Sequence, residues 1–332
     1  MIKKKIDVTI LVTGVGAIIG QGIIKSLRKS NYSVRIIGID RSKNSPGPSL
    51  CDVFYQKPLC NEDSSEYLSF WYDVLKKESV DIVLVGLEVD MFFLNKEREA
   101  FKSLDVVIAL NNYNLILLSG DKWKLYESLE TIKLPRIPSV IPKNWNQAIS
   151  ELGDAPILLK PRQGNGSRGI VKIYDEKDFE YWREKLDTNW MLQRIVGEDH
   201  NEFTVGVFGF GDGKSSRPII FKRILSSSGN TLEAQVVNDV VIENASDILT
   251  KHFKPLGPTN YQFRMEDNYA YLLEINPRFS SSNSLRTAFN FNEAEMAIDY
   301  FKFNKIPHNP IIKKGCAWRY SEDYISYDSN TL

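Results

Sequence analysis

The stretch Tyr271-Leu-Leu-Glu-Ile-Asn-Pro-Arg-Phe-Ser280 can hardly be anything but a β-strand that stops abruptly. Pro277 has no N–H to give a ladder, so pairing ends there. Along the strand, side chains alternate faces, which puts Glu274 and Asn276 on one side and Tyr271, Leu273 and Ile275 on the other. Thr259–Met265 alternates in the same way, and Glu266-Asp-Asn268 signals a turn. A three-residue turn over Asp267–Tyr269 sets Gln262 opposite Glu274. The resulting face carries one carboxylate and two amide oxygens, hard ligands of the kind Mg²⁺ prefers, with positions left for water and phosphate. Arg278 follows as a planar cation matched to a pair of phosphate or carboxylate oxygens. A polar-faced surface hairpin would carry the same pattern, so the rest of the chain has to decide.

Two further segments bear on that choice. In Pro156–Ile173, apolar runs Ile157–Leu159 and Ile170–Ile173 flank Gly164-Asn-Gly-Ser-Arg-Gly169, a hairpin with a glycine-rich tip. Gly164, Gly166 and Gly169 permit positive φ and close backbone approach, so successive N–H groups can form an anion nest over phosphates. Ser167 adds a hydroxyl, and Lys160 at the strand end can reach a phosphate oxygen. A flexible glycine tip without a ligand is the alternative. In Trp190–Phe208, an apolar segment and a polar break precede a strand, Phe203–Phe208, at whose start Glu202 places a carboxylate.

The N-terminal third alternates strands and helices. Val8–Thr13 is an apolar strand, Gly14–Gly20 a glycine turn and Ile18–Ser30 a helix. Strand Val34–Asp40, helix Glu66–Lys77, strand Val80–Gly86, helix Phe92–Phe101 and strand Val106–Leu110 follow. This rhythm implies a parallel sheet covered on both faces. Gly14, Gly16 and Gly20, with Asp40 ending the second strand, also fit a nicotinamide-dinucleotide fingerprint. That would make the chain an NAD(P)-dependent oxidoreductase or epimerase. The Tyr-x-x-x-Lys pair expected of such an enzyme occurs only as Tyr181 and Lys185, in a charged helical stretch.

Taken in order, these residues resemble the ATP-grasp superfamily, most closely the nucleotide-binding halves of the carbamoyl-phosphate synthase large chain. The order is Asp121-Lys122, Lys160 before the glycine loop, the hinge Leu-Gln-Arg-Ile-Val-Gly-Glu198, Gln262, and then the run from Leu272 to Ala288. The resemblance spans roughly residues 8–310. It implies a Rossmann-like α/β pre-ATP-grasp domain over 1–118. An α+β ATP-grasp fold follows, with a middle subdomain and lid over 119–190 and a metal-bearing subdomain over 191–310, then a final strand and tail over 311–332. By the same resemblance, Lys122 and Lys160 bind ATP phosphates, Lys160 also lying near the adenine, and Gly164, Gly166, Ser167 and Gly169 form the lid. Gln193, Arg194, Ile195 and Val196 are the hinge that reads the adenine edge. Glu202 takes the ribose hydroxyls, with Glu198 as a competitor because the link between hinge and strand is long. Gln262, Glu274 and Asn276 hold Mg²⁺, for which Mn²⁺ can substitute. Arg278 steadies the transferred phosphoryl group, and Lys160 and Arg278 form the catalytic pair.

The implied activity is amide formation between a small-molecule carboxylate and an amine through an acyl phosphate. No protein nucleophile is needed for it, and no Ser-His-Asp or Cys-His constellation is found. A fold that has lost activity and senses a nucleotide is the remaining alternative. Forty-two basic against forty-two acidic residues leave no nucleic-acid footprint. Three cysteines without metal spacing suit a reducing compartment, and three histidines form no zinc motif. Asp7 and the glycines that follow argue against a signal peptide, and no apolar run reaches the ~20 residues needed to cross a bilayer. A cytoplasmic enzyme able to form a homodimer is the expectation. Further expectations are paired strands over Pro218–Arg223 and Thr231–Val237, a linker strand over Leu134–Pro138, and one helix over Ser284–Phe303 with Arg286 facing substrate.

Overall fold

The computed structural model describes residues 7–164, 169–185, 189–227 and 229–325. The first sheet is parallel, with strands β1 (Asp7–Thr13), β2 (Ser33–Asp40), β3 (Val53–Gln56), β4 (Ile82–Leu84) and β5 (Val107–Ala109) in the order β3-β2-β1-β4-β5. Its central strands lack polar alternation because both faces are covered. Ile10 and Val12 pack with Ile23, Ile24 and Leu27 of helix Ile18–Leu27. Leu11, between them, packs with Tyr67, Trp71 and Val74 of helix Ser65–Lys77 on the other face. The expected strands and helices are present, with β3 in addition. The third helix runs over Glu88–Lys96, starting directly after β4.

The second sheet is antiparallel: β6 (Ser139–Val140), β7 (Ile157–Pro161), β8 (Val171–Ile173) and β9 (Trp190–Gln193), in the order β6-β9-β7-β8. Helix Trp145–Leu152 packs on it; its N-cap Asn144 accepts from the Gln147 N–H at 2.9 Å. Helix Glu176–Lys185 supplies Phe179, which is completely buried against Trp190. The linker over 134–138 is not a strand.

The third sheet comprises β10 (Glu202–Phe210), β11 (Ile219–Leu225), β12 (Thr231–Val237), β13 (Leu256–Glu266), β14 (Tyr269–Asn276) and β15 (Cys316–Trp318), in the order β14-β13-β10-β11-β12-β15. One face receives Ile242, Ala245 and Leu249 of helix Val240–Phe253. The other contributes Phe208, Phe221 and Ala234 to the cluster that contains Ile10 and Ile23 of the first sheet's surroundings. The third sheet and the N-terminal unit thus share one core.

Two expectations fail for identifiable reasons. The β13–β14 turn has two residues, Asp267 and Asn268, both at positive φ (49° and 63°), as a tight hairpin turn requires. That turn alone would pair Gln262 with Leu273. A bulge at Leu273 adds one residue and restores the pairing of Gln262 with Glu274. It also breaks the alternation: Leu272 and Ile275 enter the core, while Leu273 turns to the same cavity as Glu274.

The helix expected over Ser284–Phe303 is interrupted. It runs Asn283–Ala288, breaks at Asn290 (φ 71°), and resumes at Glu293–Ala297 with a wider turn over Ile298–Lys302. Asn292 caps the second piece, accepting from the Glu295 N–H at 3.2 Å. Arg286 does not face a substrate. It is fully buried, paired with Glu293 at 3.0 Å and hydrogen-bonded to Thr204 and Asn260.

Candidate functional site

The second and third sheets face each other across a cleft of about 200 Å³. Lys160 of β7 and Gln193 of β9 form one wall; Glu202, Gln262 and Glu274 of β10, β13 and β14 form the other. Lys122 and Gly164 close one end.

Each group is held by its element. Asp121 caps the helix Lys122–Ser128, accepting from Trp123 N at 3.0 Å, and pairs with Arg162 at 2.6 Å. This fixes where the chain turns into the cleft, and Lys122 Nζ donates to the Gly164 carbonyl at 2.5 Å. Burial lowers the Lys122 pKa, with Glu274 and Glu88 opposing the shift. Lys160 is buried, and its ammonium donates to Gln193 Oε1, whose own Nε2 donates to Ser139 Oγ at 2.8 Å. Burial first, and the neighbouring Lys122 second, push Lys160 down to about 8.

The carboxylates differ sharply. Glu202 lies opposite Arg223 on one side of the ladder and Arg264 on the other. It accepts from Arg223 Nη2 at 2.7 Å and from Arg264 Nη2 at 2.9 Å, and is almost fully buried. Glu198 is exposed, lies 3.1 Å from His200 and does not line the cleft. Glu274 Oε1 accepts from Asn276 Nδ2 at 2.7 Å. Gln262 Oε1 accepts from Arg223 Nη2 at 2.7 Å, leaving one lone pair on that oxygen.

Most of the expected residues therefore meet in one place. Arg194 and Val196 line the cleft, while Ile195 does not. Arg194 is tied to Glu266 at 2.7 Å, and Glu266 also accepts from Gly197 N at 2.9 Å, joining the hinge to the β13–β14 hairpin. Gly164 and Gly169 adopt positive φ (101° and 74°); Gly166 and Ser167 lie outside the described residues. Arg278 stands apart from the lysines. It pairs with Glu88 at 3.1 Å and donates to the Phe279 carbonyl at 3.0 Å.

Three polar residues escape the sequence reading. Arg223 and Arg264 become visible only through the register that sets both against Glu202. Glu88 carried a weak signal: it opens a helix at the carboxyl end of a central parallel strand, where such sheets place their ligands.

The glycine turn of the first sheet is filled by protein. Asp40 Oδ2 accepts from Gly16 N at 2.9 Å, so the acid expected to read a ribose instead caps the turn. A Cβ on Gly47 would lie 2.4 Å from the Val15 carbonyl oxygen, so the segment after β2 sits directly on the turn. Tyr181 and Lys185 are an exposed pair on a helix surface. Neither feature supports the dinucleotide reading.

A cleft between two antiparallel sheets, with Lys160 on one wall, Lys122 at one end and the strand that carries Glu274 on the far wall, decides the fold. The chain has an ATP-grasp fold. The model for ATP-grasp in the biosynthetic pathway with Ter operon matches residues 189–323, and the model for the PylC-like N-terminal domain matches residues 10–109. The arginine-specific large chain of carbamoyl phosphate synthase from Geobacillus stearothermophilus is 24% identical over 308 residues, covering 82% of this chain. Its counterpart from Halalkalibacterium halodurans is 26% identical, covering 84%. This chain spans only 27% and 28% of the length of those two relatives.

Among solved ATP-grasp structures, N5-carboxyaminoimidazole synthetase from Staphylococcus aureus, complexed with ADP, superposes with a TM-score of 0.70. It is 18% identical, covering 95% of this chain and 81% of its own. Biotin carboxylase from Campylobacter jejuni gives a TM-score of 0.71 at 16% identity, covering 93% of this chain and 74% of its own. The expected resemblance and the two-part fold class are thus borne out. Among the described residues, no helix is long and apolar enough to cross a membrane.

Proposed function

We propose that this chain is an ATP-dependent carboxylate–amine ligase that works through an acyl phosphate and releases ADP and phosphate. The observation that carries this reading is the convergence of Lys122, Lys160, Gln193, Glu202, Gln262 and Glu274, drawn from six separate elements, on one cleft.

In this reading Lys122, Lys160 and the N–H groups of the glycine loop hold the phosphates, and the hinge of Gln193 to Val196 faces the adenine. Glu202 is the ribose residue, since it lines the cleft and Glu198 does not. The metal set fits a hard cation. The Asn276–Glu274 hydrogen bond orients both side chains and leaves the second Glu274 oxygen and the Asn276 Oδ1 as donors, with the remaining lone pair of Gln262 across from them. When bound, Mg²⁺ would neutralise charge on the β- and γ-phosphates as the phosphoryl group moves. Arg278, anchored by Glu88 at 3.1 Å, would steady that group; Glu88 in turn lies near enough to Lys122 to oppose the fall of its pKa. The attacking atom is a substrate carboxylate oxygen; an amine then displaces phosphate from the acyl carbon. Water must be kept from the acyl phosphate once it forms, because hydrolysis there is unproductive.

Thermal melting tests this directly. Mg²⁺ with ADP should raise the melting temperature by a few degrees, since a ligand at 100 times its Kd adds ~2.7 kcal/mol. NAD⁺ and NADP⁺ should leave it unchanged. A shift with a nicotinamide dinucleotide alone would return the active site to the Gly14–Gly20 turn.

Lys160 supplies a second test. In the free protein its pKa sits at about 8, so above that pH it is largely neutral. Phosphate oxygens favour the charged form. Nucleotide binding above about pH 8 should therefore take up a proton, and affinity should fall as pH rises through that value. Calorimetry in two buffers of different ionisation heat reads the uptake. It should vanish in Lys160→Gln; equal uptake in that variant would remove Lys160 from the phosphate site.

A further inference from the structure

Strand β13 presents three polar residues in steps of two, Gln262, Arg264 and Glu266. Residues so spaced share one face of a strand and stand about 7 Å apart. Gln262 lies opposite Glu274, in the set proposed for the metal and phosphates. Arg264 holds Glu202, the proposed ribose residue, at 2.9 Å. Both Gln262 and Arg264 line the cleft. Glu266 continues the row and ends the strand, and both of its carboxylate oxygens go to the hinge. Oε2 accepts from Arg194 Nη2 at 2.7 Å, and Oε1 accepts from the Gly197 N–H at 2.9 Å.

The hinge is therefore fastened at its two ends to different sheets. At its start, the Arg194 N–H donates to the Pro138 carbonyl at 2.9 Å, next to β6 of the second sheet. At its end, Gly197 meets β13 of the third sheet: a Cβ there would lie 2.5 Å from the Met265 carbonyl oxygen, and φ is 56°. Glycine adopts that conformation, and allows that approach, without strain. Apolar side chains gather beside this stretch. Ile137, Leu158, Val196 and Leu273 line the cleft, and Leu158 pairs with Gln193 across the ladder. Such a lining suits the flat faces of a base, whose polar edge then meets the hinge.

We propose that Glu266 is a positioning residue for base recognition. By holding Arg194 and the Gly197 N–H together, it sets the path of the hinge backbone and with it the preference of the cleft for one purine edge over another. Strand β13 then spaces the three parts of the nucleotide, with Gln262 at the metal, Arg264 behind the ribose residue and Glu266 behind the base reader. This role rests on the nucleotide cleft of the ligase reading; the clamp itself stands on its two hydrogen bonds.

The test is titration calorimetry on the full chain with Mg²⁺ and either ADP or inosine diphosphate. The two ligands share phosphates, ribose and ring system and differ only at the purine edge, which carries an amino group in one and a carbonyl in the other. The wild-type chain should bind ADP more tightly. Glu266→Ala should weaken ADP by about tenfold, the effect of ~1.4 kcal/mol, and inosine diphosphate by less than about threefold, so that the preference is lost. Gly197→Ala attacks the same fastening from the other side, since its Cβ would collide with the Met265 carbonyl oxygen. It should lose the preference too, and it carries the test if Glu266→Ala does not fold. Equal weakening of both diphosphates in Glu266→Ala, as a merely loosened cleft would give, overturns the proposal. So does an undiminished preference in the folded variant, or a wild-type chain that binds the two ligands alike. Failure of the wild-type chain to bind Mg²⁺ and ADP at all would instead overturn the ligase reading.

Discussion

Replacing Glu274 by alanine is expected to reduce ATP turnover on the order of 100-fold or more, the scale seen when a group that stabilises transition-state charge is removed. The fold should survive. Glu274 is half-buried at the cleft wall, outside the apolar cluster that Leu272 and Ile275 join, so its loss opens no core cavity. Its side-chain hydrogen-bond partner among the described residues, Asn276 Nδ2, is itself half-buried and can turn to water. Glu274→Gln is the sharper variant. It keeps the volume and the possibility of a hydrogen bond from Asn276 but removes the negative charge a metal needs. Phosphate release by a folded Glu274→Gln protein near the wild-type rate would remove Glu274 from the metal site. The melting profile without nucleotide should be close to wild type for both variants, which separates loss of chemistry from loss of structure.

The hairpin that carries Glu274 marks the limit of what was legible in the sequence. Its alternation, its proline stop and its pairing with Gln262 could all be read from residue types. The turn could not, because two-residue and three-residue turns share the same Asp-Asn signature, and the bulge at Leu273 compensated for the difference. The pairing was therefore right by way of two departures that cancel in register. They do not cancel in orientation: Leu273 lines the cleft instead of the core side. Similarly, the apolar strands of the N-terminal sheet declared themselves because both faces are covered. The β3 strand, half-buried at the sheet edge, did not.

Glu202 illustrates a different gap. A carboxylate at a strand start was visible, and its approach to the cleft followed from the motif order. Its neutralisation by Arg223 and Arg264 follows from strand order, since β10 sits between β11 and β13. That order joins Glu202 to residues 21 and 62 positions away, and no local pattern encodes it. The competing Glu198 does not line the cleft. A helical turn at Asp199–Asn201 leaves it in solvent.

Arg286→Ala should destabilise the chain by about 3–5 kcal/mol, the usual cost of breaking a fully buried ion pair by removing one partner. Arg286 and Glu293 are both completely buried, and the arginine also binds Thr204 of β10 and Asn260 of β13. Removing it strands the Glu293 carboxylate, whose pKa burial already raises. It also leaves the oxygen of Asn260 with Thr204 as its remaining side-chain donor. The space is committed to this residue: a Cβ on Gly206 would lie 2.6 Å from the Arg286 guanidinium carbon. Denaturant unfolding measures the loss. The double variant Arg286→Met with Glu293→Leu should recover much of it, because no charge is then left unpaired. Nucleotide affinity in that double variant should match wild type, since Arg286 does not line the cleft. If instead Arg286→Ala keeps its stability and loses turnover, the residue belongs to the substrate site and the interruption of the helix at Asn290 serves chemistry rather than packing.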